Sequence, residues 1–199
     1  KNILDNLDKT KYQPAVIKLS KSGKQWFLNG RLTSMARALK SSDIIFNALH
    51  GAFGEDGRAQ ALLEYYGVRY TGSGIIASAL AMDKFRSREI FKLAGFCVPK
   101  TLEVEMGENY QARLNLFITK LAKLPIVVKP CSNGSSVGVK IVSESGKLTK
   151  AIDETFKLGK KVLVEEYIRG KEITCGVLDP ALQRADASSE KNRSLSDGA

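Results

Sequence analysis

Short strand-type runs alternate along this chain with longer helical segments, and this alternation constrains the fold more than any other feature. Ile44–Ala48 is an apolar run with the composition of a buried strand, and Arg58–Tyr66 has the apolar spacing of a helix. Further along, a helical segment at Leu148–Phe156 lies between strand-type runs at Val137–Val142 and Lys161–Tyr167. The pattern predicts an α/β protein, most simply a parallel sheet covered by helices.

The rest of the chain continues this pattern up to residue 178. Further predicted elements are the strands Ala15–Leu19, Gln25–Leu28, Thr101–Val104 and Glu172–Leu178, one long helix from Ile75 to Gly95, and a helix around Tyr110–Leu121. Because the pattern changes after a glycine-rich stretch, we place a domain boundary near Gly72–Lys84. Residues 1–72 form a first α/β domain, and residues 73–178 form a second α+β domain.

The segment 179–199 differs in kind from the rest. Leu182 and Leu195 are its only large apolar residues, and it has no hydrophobic periodicity. Such a segment buries too little apolar surface to offset its ordering entropy, so we expect it to be a disordered tail.

Composition excludes several classes of protein. The chain has 199 residues, 43% of them apolar, which is enough for a packed core. It lacks a run of about 18 apolar residues, so no membrane span is expected. Three scattered cysteines, Cys97, Cys131 and Cys175, predict reduced thiols and a cytoplasmic location. The net charge of +10 is spread among apolar residues without interleaved aromatics, so we predict no nucleic-acid partner.

A glycine- and serine-rich loop joins two strand-type runs within Leu124–Val142. Lys129 stands near the end of the first run, and the loop Cys131–Ser136 follows it. Successive backbone N–H groups in such a loop form a concave anion site, and a lysine adds a point charge for phosphate oxygens. The lysine precedes the glycine, so this is not the common P-loop. A phosphate-binding loop and an ordinary surface turn of a hairpin both fit the residues.

Two further groups of polar residues lie at predicted strand ends. Glu165, Glu166 and Glu172 flank the turn between two strands, where backbone groups could meet an adenine edge and a carboxylate could accept from ribose hydroxyls. Solvated carboxylates are the alternative. His50, the only histidine, follows a strand and precedes Glu55 and Asp56, at the edge where open α/β sheets bind ligands. The alternative is a structural histidine.

Three stretches together resemble D-alanine–D-alanine ligase, an ATP-grasp enzyme family of peptidoglycan synthesis. They are "HGAFGEDGRAQALLEYYGVRYTGSGIIASALAMDK", "PIVVKPCSNGSSVGV" and "VLVEEYIRGKEITCGVL", in that order. The resemblance covers about residues 1 to 178. It implies an N-terminal parallel-sheet domain followed by the central α+β lobe of an ATP-grasp fold, with the C-terminal lobe largely missing.

The resemblance also implies roles for individual residues. Lys84 and Lys129 resemble the two lysines that contact ATP phosphates, and the loop Gly134–Gly138, with Ser135 and Ser136, resembles the one that closes over them. Ser135 is also expected on the substrate side of the site. The adenine-binding linker corresponds to Glu165, Glu166, Tyr167 and Ile168, and the ribose-binding acid to Glu172. His50 and Glu55 resemble the pair beside the first D-alanine.

The reaction that the resemblance implies is ATP-dependent joining of two D-alanines through an acyl phosphate, with Mg²⁺ or Mn²⁺, in a homodimeric enzyme. Ligation to D-lactate or D-serine is an alternative, and a non-catalytic nucleotide-binding remnant is another. The family's N-terminal glycine-rich loop and its C-terminal metal ligands are not recognisable in this chain. We therefore expect an incomplete copy that does not turn over, without metal ligands of its own.

Overall fold

A computed structural model of the chain describes residues 2–134 and 136–177. The described residues divide into two units, one that ends at Tyr167 and one that begins at Ile168. The helices are α1 (Asn2–Asn6), α2 (Met35–Leu39), α3 (Arg58–Tyr65), α4 (Ile75–Met82), α5 (Lys84–Leu93), α6 (Gln111–Leu116) and α7 (Leu148–Phe156). The strands are β1 (Ile17–Leu19), β2 (Trp26–Leu28), β3 (Arg31–Thr33), β4 (Ile44–Ile45), β5 (Arg69–Tyr70), β6 (Thr101–Glu105), β7 (Ile126–Pro130), β8 (Lys140–Val142) and β9 (Lys161–Glu166).

The first 72 residues contain a small antiparallel sheet and a parallel pair of strands. Strands β1, β2 and β3 form the antiparallel sheet, in that order. Asn29 and Gly30, both with positive φ, make the two-residue turn between β2 and β3. An Asn-Gly dipeptide between strand-type residues is a strong hairpin signal, so β3 was predictable although the sequence analysis missed it.

The parallel pair joins β4 to β5, with helix α3 between them along the chain. Strand β4 was predicted as a buried run at Ile44–Ala48, but it covers only two residues. Ile44 and Phe46 are 53% and 59% exposed. The prediction of burial was wrong because, within the described residues, β4 pairs with β5 on one side only. The nearby core consists of Trp26, Ala38, Leu39 and Leu63.

The predicted long helix from Ile75 to Gly95 is two helices that meet at Asp83. The backbone of Asp83 is extended (φ −82°, ψ 96°), and its carboxylate accepts a hydrogen bond from the Arg86 N–H at 3.0 Å. An aspartate in this position caps a new helix, because its side chain satisfies an N–H group that has no partner in the first turn. The break places Lys84 at the first position of α5.

The second half of the first unit is built on a four-stranded antiparallel sheet in the order β6-β9-β7-β8. One face of this sheet packs against α6 and α7 in the main core. The buried core residues are Val104, Leu114, Phe117, Ala122, Ile126, Val128, Val142, Leu148, Ala151, Ile152, Val162 and Val164. Side chains alternate between the faces of a strand, so the residues between these core positions lie on the opposite face.

The predicted strands Val137–Val142 and Glu172–Leu178 need correction. Strand β8 begins at Lys140 rather than Val137, because residues 136–138 form a turn that includes the left-handed Ser136 and Gly138. The strand predicted at Glu172–Leu178 is absent from its described part, residues 172–177, which are exposed and lie outside helices and strands. An apolar run becomes a strand only when another strand pairs with it, and no described residue does so here.

Candidate functional site

The polar face of the four-stranded sheet carries a buried ion pair. Lys129 is paired in register with Leu163, and Glu165 with Val127, so Lys129 and Glu165 are diagonal neighbours on one face of adjacent strands. The Lys129 Nζ lies 2.7 Å from Glu165 Oε2, and the two side chains are 17% and 3% exposed. A carboxylate this buried requires charged partners, because burial without them would strongly disfavour its ionised form.

Arg88 of helix α5 is the second partner of Glu165. Its guanidinium lies 2.7 Å from Oε1 through Nη1, and Nη2 donates to Oε2 at 3.2 Å. Nη1 also donates to the main-chain oxygen of Lys84 at 3.1 Å. Arg88 was not among the residues predicted from the sequence. Its position four residues after Lys84 on one helix was the available signal, since residues at that spacing share a helix face.

Lys84 binds the start of the glycine-rich loop. Its Nζ donates to the main-chain oxygens of Cys131 (3.2 Å) and Pro130 (3.5 Å), and also to that of Asn133. Burial, followed by the positive charge of Lys129, lowers the pKa of the Lys84 amine below its ordinary value. The structure therefore brings together, one from a helix and one from a strand, the two lysines that the resemblance assigned to the ATP phosphates.

The charges of this cluster do not balance. Lys84, Arg88 and Lys129 are cations when protonated, and among the described residues Glu165 is the one carboxylate that contacts Arg88 and Lys129. We call these four residues the cationic cluster. A surplus of buried positive charge beside a glycine- and serine-rich loop favours an anion of high charge density, such as a polyphosphate.

The glycine-rich loop starts at this cluster. Cys131 is buried, Ser136 has a left-handed φ of 57°, and Gly138 has a φ of 78°. A Cβ on Gly138 would overlap the side chain of Leu158 and approach Pro130 Cγ to 3.1 Å, so only glycine fits there. Ser135, predicted for the phosphates and for the substrate side, lies outside the described residues.

Residues 50–56, which we call the histidine loop, lie beside the glycine-rich loop. Glu55 accepts the Gly51 N–H at 2.6 Å, and its Oε1 is 3.6 Å from His50 Nδ1. A Cβ added to Gly134 would lie 3.8 Å from Glu55 Oε2. The structure therefore places the predicted pair, His50 and Glu55, next to the loop that follows Lys129. The imidazole is 92% exposed and Glu55 is 47% exposed, so both can reach a ligand.

Asp56, beside this pair, has a structural role. Its carboxylate accepts hydrogen bonds from the Phe53 N–H (2.8 Å) and from Arg58 Nε (2.9 Å). The Arg58 guanidinium is the main reason that the pKa of Asp56 falls to about 2. These bonds fix the loop that carries Glu55.

The predicted adenine linker continues from β9. Glu166 accepts from the Lys100 N–H at 2.9 Å, and its own N–H donates to the Lys100 oxygen at 3.0 Å. Tyr167 is 38% exposed. Ile168 and Glu172 belong to the second unit, where both are exposed. The roles of these four residues in nucleotide binding stay predictions.

Two features are absent from the described residues. Residues 2–134 and 136–177 contain no group of three or more His, Cys, Asp or Glu side chains arranged to hold a metal ion. In the same part of the chain, no helix has both the length and the apolar composition that crossing a bilayer requires.

Comparison with solved structures identifies the class of protein. The D-alanine–D-alanine ligase from Coxiella burnetii superposes with a TM-score of 0.78 at 27% identity, covering 85% of this chain and 58% of the other. The enzyme from Bacillus anthracis complexed with ATP gives 0.72 at 34% identity, covering 89% and 55%. The chain therefore has an ATP-grasp ligase fold, which confirms the predicted fold class.

Sequence comparison identifies the family. Residues 30–73 match the profile described as D-ala D-ala ligase N-terminus, and residues 90–195 match D-ala D-ala ligase C-terminus. A D-alanine–D-alanine ligase of Citrifermentans bemidjiense is 43% identical over 151 residues, which are 75% of this chain and 47% of the relative. The chain belongs to the D-ala D-ala ligase family, and the predicted resemblance is confirmed.

The chain spans about half the length of the curated relatives it matches. The second profile match includes residues 179–195, within the segment predicted to be a tail. That segment lies outside the residues that the structure describes, so its predicted disorder stays a prediction. The domain bounds 1–72, 73–178 and 179–199 stay predictions.

Proposed function

We propose that this chain binds ATP and serves an ATP-dependent ligation of two D-alanines to D-alanyl-D-alanine. The cationic cluster carries this proposal, because Arg88 and Lys129 pair with the buried carboxylate of Glu165, and Lys84 binds main-chain oxygens at the entrance to the glycine-rich loop. Family membership gives the cluster its ligand, since the Bacillus anthracis relative was solved with ATP. Peptidoglycan precursor synthesis is the process that such a reaction would serve.

In this proposal the ATP phosphates take the place of protein acceptors. Lys129 exchanges part of its contact with Glu165 for a phosphate oxygen, and Lys84 exchanges loop oxygens for another. The loop Gly134–Gly138, with its Ser135 and Ser136, supplies N–H and hydroxyl donors. Such an exchange keeps each ammonium group hydrogen-bonded in both states, so neither is left buried and unpaired.

The family resemblance alone assigns residues to the base and sugar of ATP. Backbone groups of Glu165, Glu166, Tyr167 and Ile168 are proposed to meet the adenine edge, and Glu172 to accept from the ribose hydroxyls. The Glu166 N–H already donates to the Lys100 oxygen, so this N–H group is not available to the base.

The proposed reaction has two steps. The carboxylate of one D-alanine attacks the γ-phosphorus of ATP, which forms an acyl phosphate and releases ADP. The amine of a second D-alanine then attacks the acyl carbon, which forms the peptide bond and releases inorganic phosphate. His50 and Glu55 are proposed to orient the first D-alanine, with Ser135 on the same side. Positioning and charge neutralisation by Lys84 and Lys129 carry most of such a phosphoryl transfer.

Divalent metal is the family expectation, as Mg²⁺ or Mn²⁺. The described residues do not offer a cluster that fits such an ion, so we assign no step to it. We also propose a cytoplasmic location, supported by three free cysteines, Cys97, Cys131 and Cys175. We propose, finally, that the protein is a homodimer and that it binds neither nucleic acid nor membrane.

Calorimetric titration of the 199-residue chain with ATP tests nucleotide binding. A hydrogen bond to a charged group contributes about 1.5–3 kcal/mol, so Lys129→Ala should weaken ATP binding by roughly 10- to 150-fold. Lys161→Ala is the matched control, because Lys161 lies on the same sheet face but pairs with Glu103 at 3.3 Å. Equal affinities of the two variants for ATP would contradict the proposed site.

The ligation itself needs a separate assay. The product of the whole reading frame that encodes this chain should release ADP from ATP and Mg²⁺ only when D-alanine is present, and should form D-alanyl-D-alanine. ADP release that depends on D-lactate or D-serine as the second substrate would replace the D-alanine assignment. Tight ATP binding without any such release would indicate a nucleotide-binding protein that is not a ligase.

A further inference from the structure

Arg88 occupies a position that neither the sequence motifs nor the proposed ATP contacts explain. Its side chain is only 16% exposed, and it joins two parts of the site that are distant in sequence. Through Nη1 it contacts both the Lys84 main-chain oxygen, at 3.1 Å, and Glu165 Oε1, at 2.7 Å. Arg88 thereby links helix α5, which carries Lys84, to strand β9, whose Glu165 pairs with Lys129.

Glu165 is shared between two cations. Arg88 approaches both of its oxygens, and Lys129 approaches Oε2 at 2.7 Å. An arginine keeps a planar, permanently charged fork, which suits it to a carboxylate that must stay ionised while a second partner leaves. With Arg88 in place, Lys129 can turn to an anion without leaving Glu165 buried and unpaired.

We propose that Arg88 is a positioning residue that shares Glu165 with Lys129 and so makes the Lys129 ammonium available to the phosphates of ATP. This inference rests on the proposed function, because ATP is the anion that Lys129 is proposed to bind. Arg88 acts through Glu165 and does not itself need to contact the nucleotide.

A double-mutant cycle tests this dependence. In Arg88→Met, Glu165 pairs with Lys129 alone. ATP must then compete for the Lys129 ammonium with a carboxylate that has no other partner, so the Kd for ATP should rise about 10-fold. Adding Glu165→Gln removes the competing charge. The double variant Arg88→Met/Glu165→Gln should then bind ATP within about 2-fold of the single variant Glu165→Gln.

A matched control separates this effect from a general loss of positive charge. Arg86→Met removes one charge from the first turn of the same helix, where the Arg86 guanidinium pairs with Asp83 and is 58% exposed. It should change the Kd for ATP much less than Arg88→Met does. A direct contact between Arg88 and phosphate predicts the same loss of affinity with Glu165 or with Gln at that position, and this outcome would overturn the inference.

A second readout requires no nucleotide. Acylation of lysines by acetic anhydride, followed by peptide mass spectrometry, reports the reactivity of the Lys129 amine against exposed Lys160 as an internal standard. An amine paired with a carboxylate is a poorer nucleophile, so Lys129 should react several-fold more slowly in Arg88→Met and recover when Glu165→Gln is added.

The two readouts keep the inference apart from the proposed function. If the wild-type chain bound no ATP, the proposed function would fail, while the acylation rates would still decide whether Arg88 controls Lys129. An unchanged Lys129 rate in Arg88→Met would overturn the inference even in a chain that binds ATP.

Discussion

Gly57 follows the histidine loop and packs against helix α4. Replacing it with alanine tests that packing. Gly57 has a φ of +90°, and a Cβ there would lie 2.8 Å from the Ile75 main-chain oxygen and 3.4 Å from Ala79 Cβ. Both contacts are with the helix that precedes Lys84 along the chain. Because the closer atom belongs to backbone at the start of a helix, it cannot move aside as the end of a side chain could.

The magnitude follows from two separate effects. A left-handed backbone costs a non-glycine residue roughly 1–2 kcal/mol, from which about 0.4–1 kcal/mol is offset by the lower entropy of the unfolded alanine chain. Overpacking against α4 adds about 1–3 kcal/mol. Gly95→Ala is the matched control, since Gly95 has a φ of +85° with no atom within 4 Å of the added Cβ.

Urea unfolding of both variants and the wild-type chain measures the difference. We expect Gly57→Ala to lower the free energy of unfolding by about 1–3 kcal/mol more than Gly95→Ala does. A shared m-value would show that the same surface unfolds in each case. Equal losses in the two variants would refute the packing of Gly57 against Ile75 and leave only backbone strain.

Two further predictions concern pH. Because Arg58 holds the pKa of Asp56 at about 2, below the ordinary 3.8, the charged carboxylate should stabilise the fold above pH 4. The contribution should be about 1 kcal/mol, since solvent screens an ion pair whose arginine is 62% exposed, and it should disappear as the pH falls toward 2. Asp56→Asn should therefore have a lower free energy of unfolding at pH 7, measured in urea, and this free energy should fall less than that of the wild type between pH 4 and pH 2. An equal fall in both proteins would contradict the ion pair. Burial and the charge of Lys129 lower the pKa of Lys84 below the ordinary lysine value of 10.5. As the pH rises, Lys84 should therefore lose its charge, and ATP affinity should decline, at a lower pH than it would with an ordinary lysine. Calorimetry across the alkaline range should show this decline in the wild-type chain and a weaker one in Lys84→Met, and parallel curves would count against a phosphate contact of Lys84.

Local patterns were sufficient for much of the second half of the chain. The amphipathic helix at Leu148–Phe156 was predicted at the bounds that the structure has, because its apolar spacing alone marks the face that packs on the sheet. The strand at Lys161–Glu166 was likewise predicted to within one residue. The break at Asp83 was missed, although an aspartate before a new run of helical residues is a recognised capping signal.

The candidate site was predictable in its parts and not in its arrangement. The sequence alone determined that Lys129 precedes a glycine-rich loop, that His50 stands near Glu55, and that the motifs belong to one ligase family. Only the tertiary structure decided that Glu165 turns inward to Lys129 and Arg88, and that Lys84 reaches the same loop from a helix. The physical reason is that strand register and helix packing set which charges share a buried volume, and both depend on pairings between segments far apart in the chain. A one-residue shift between β7 and β9 would have moved Glu165 to the core face and removed the cluster altogether.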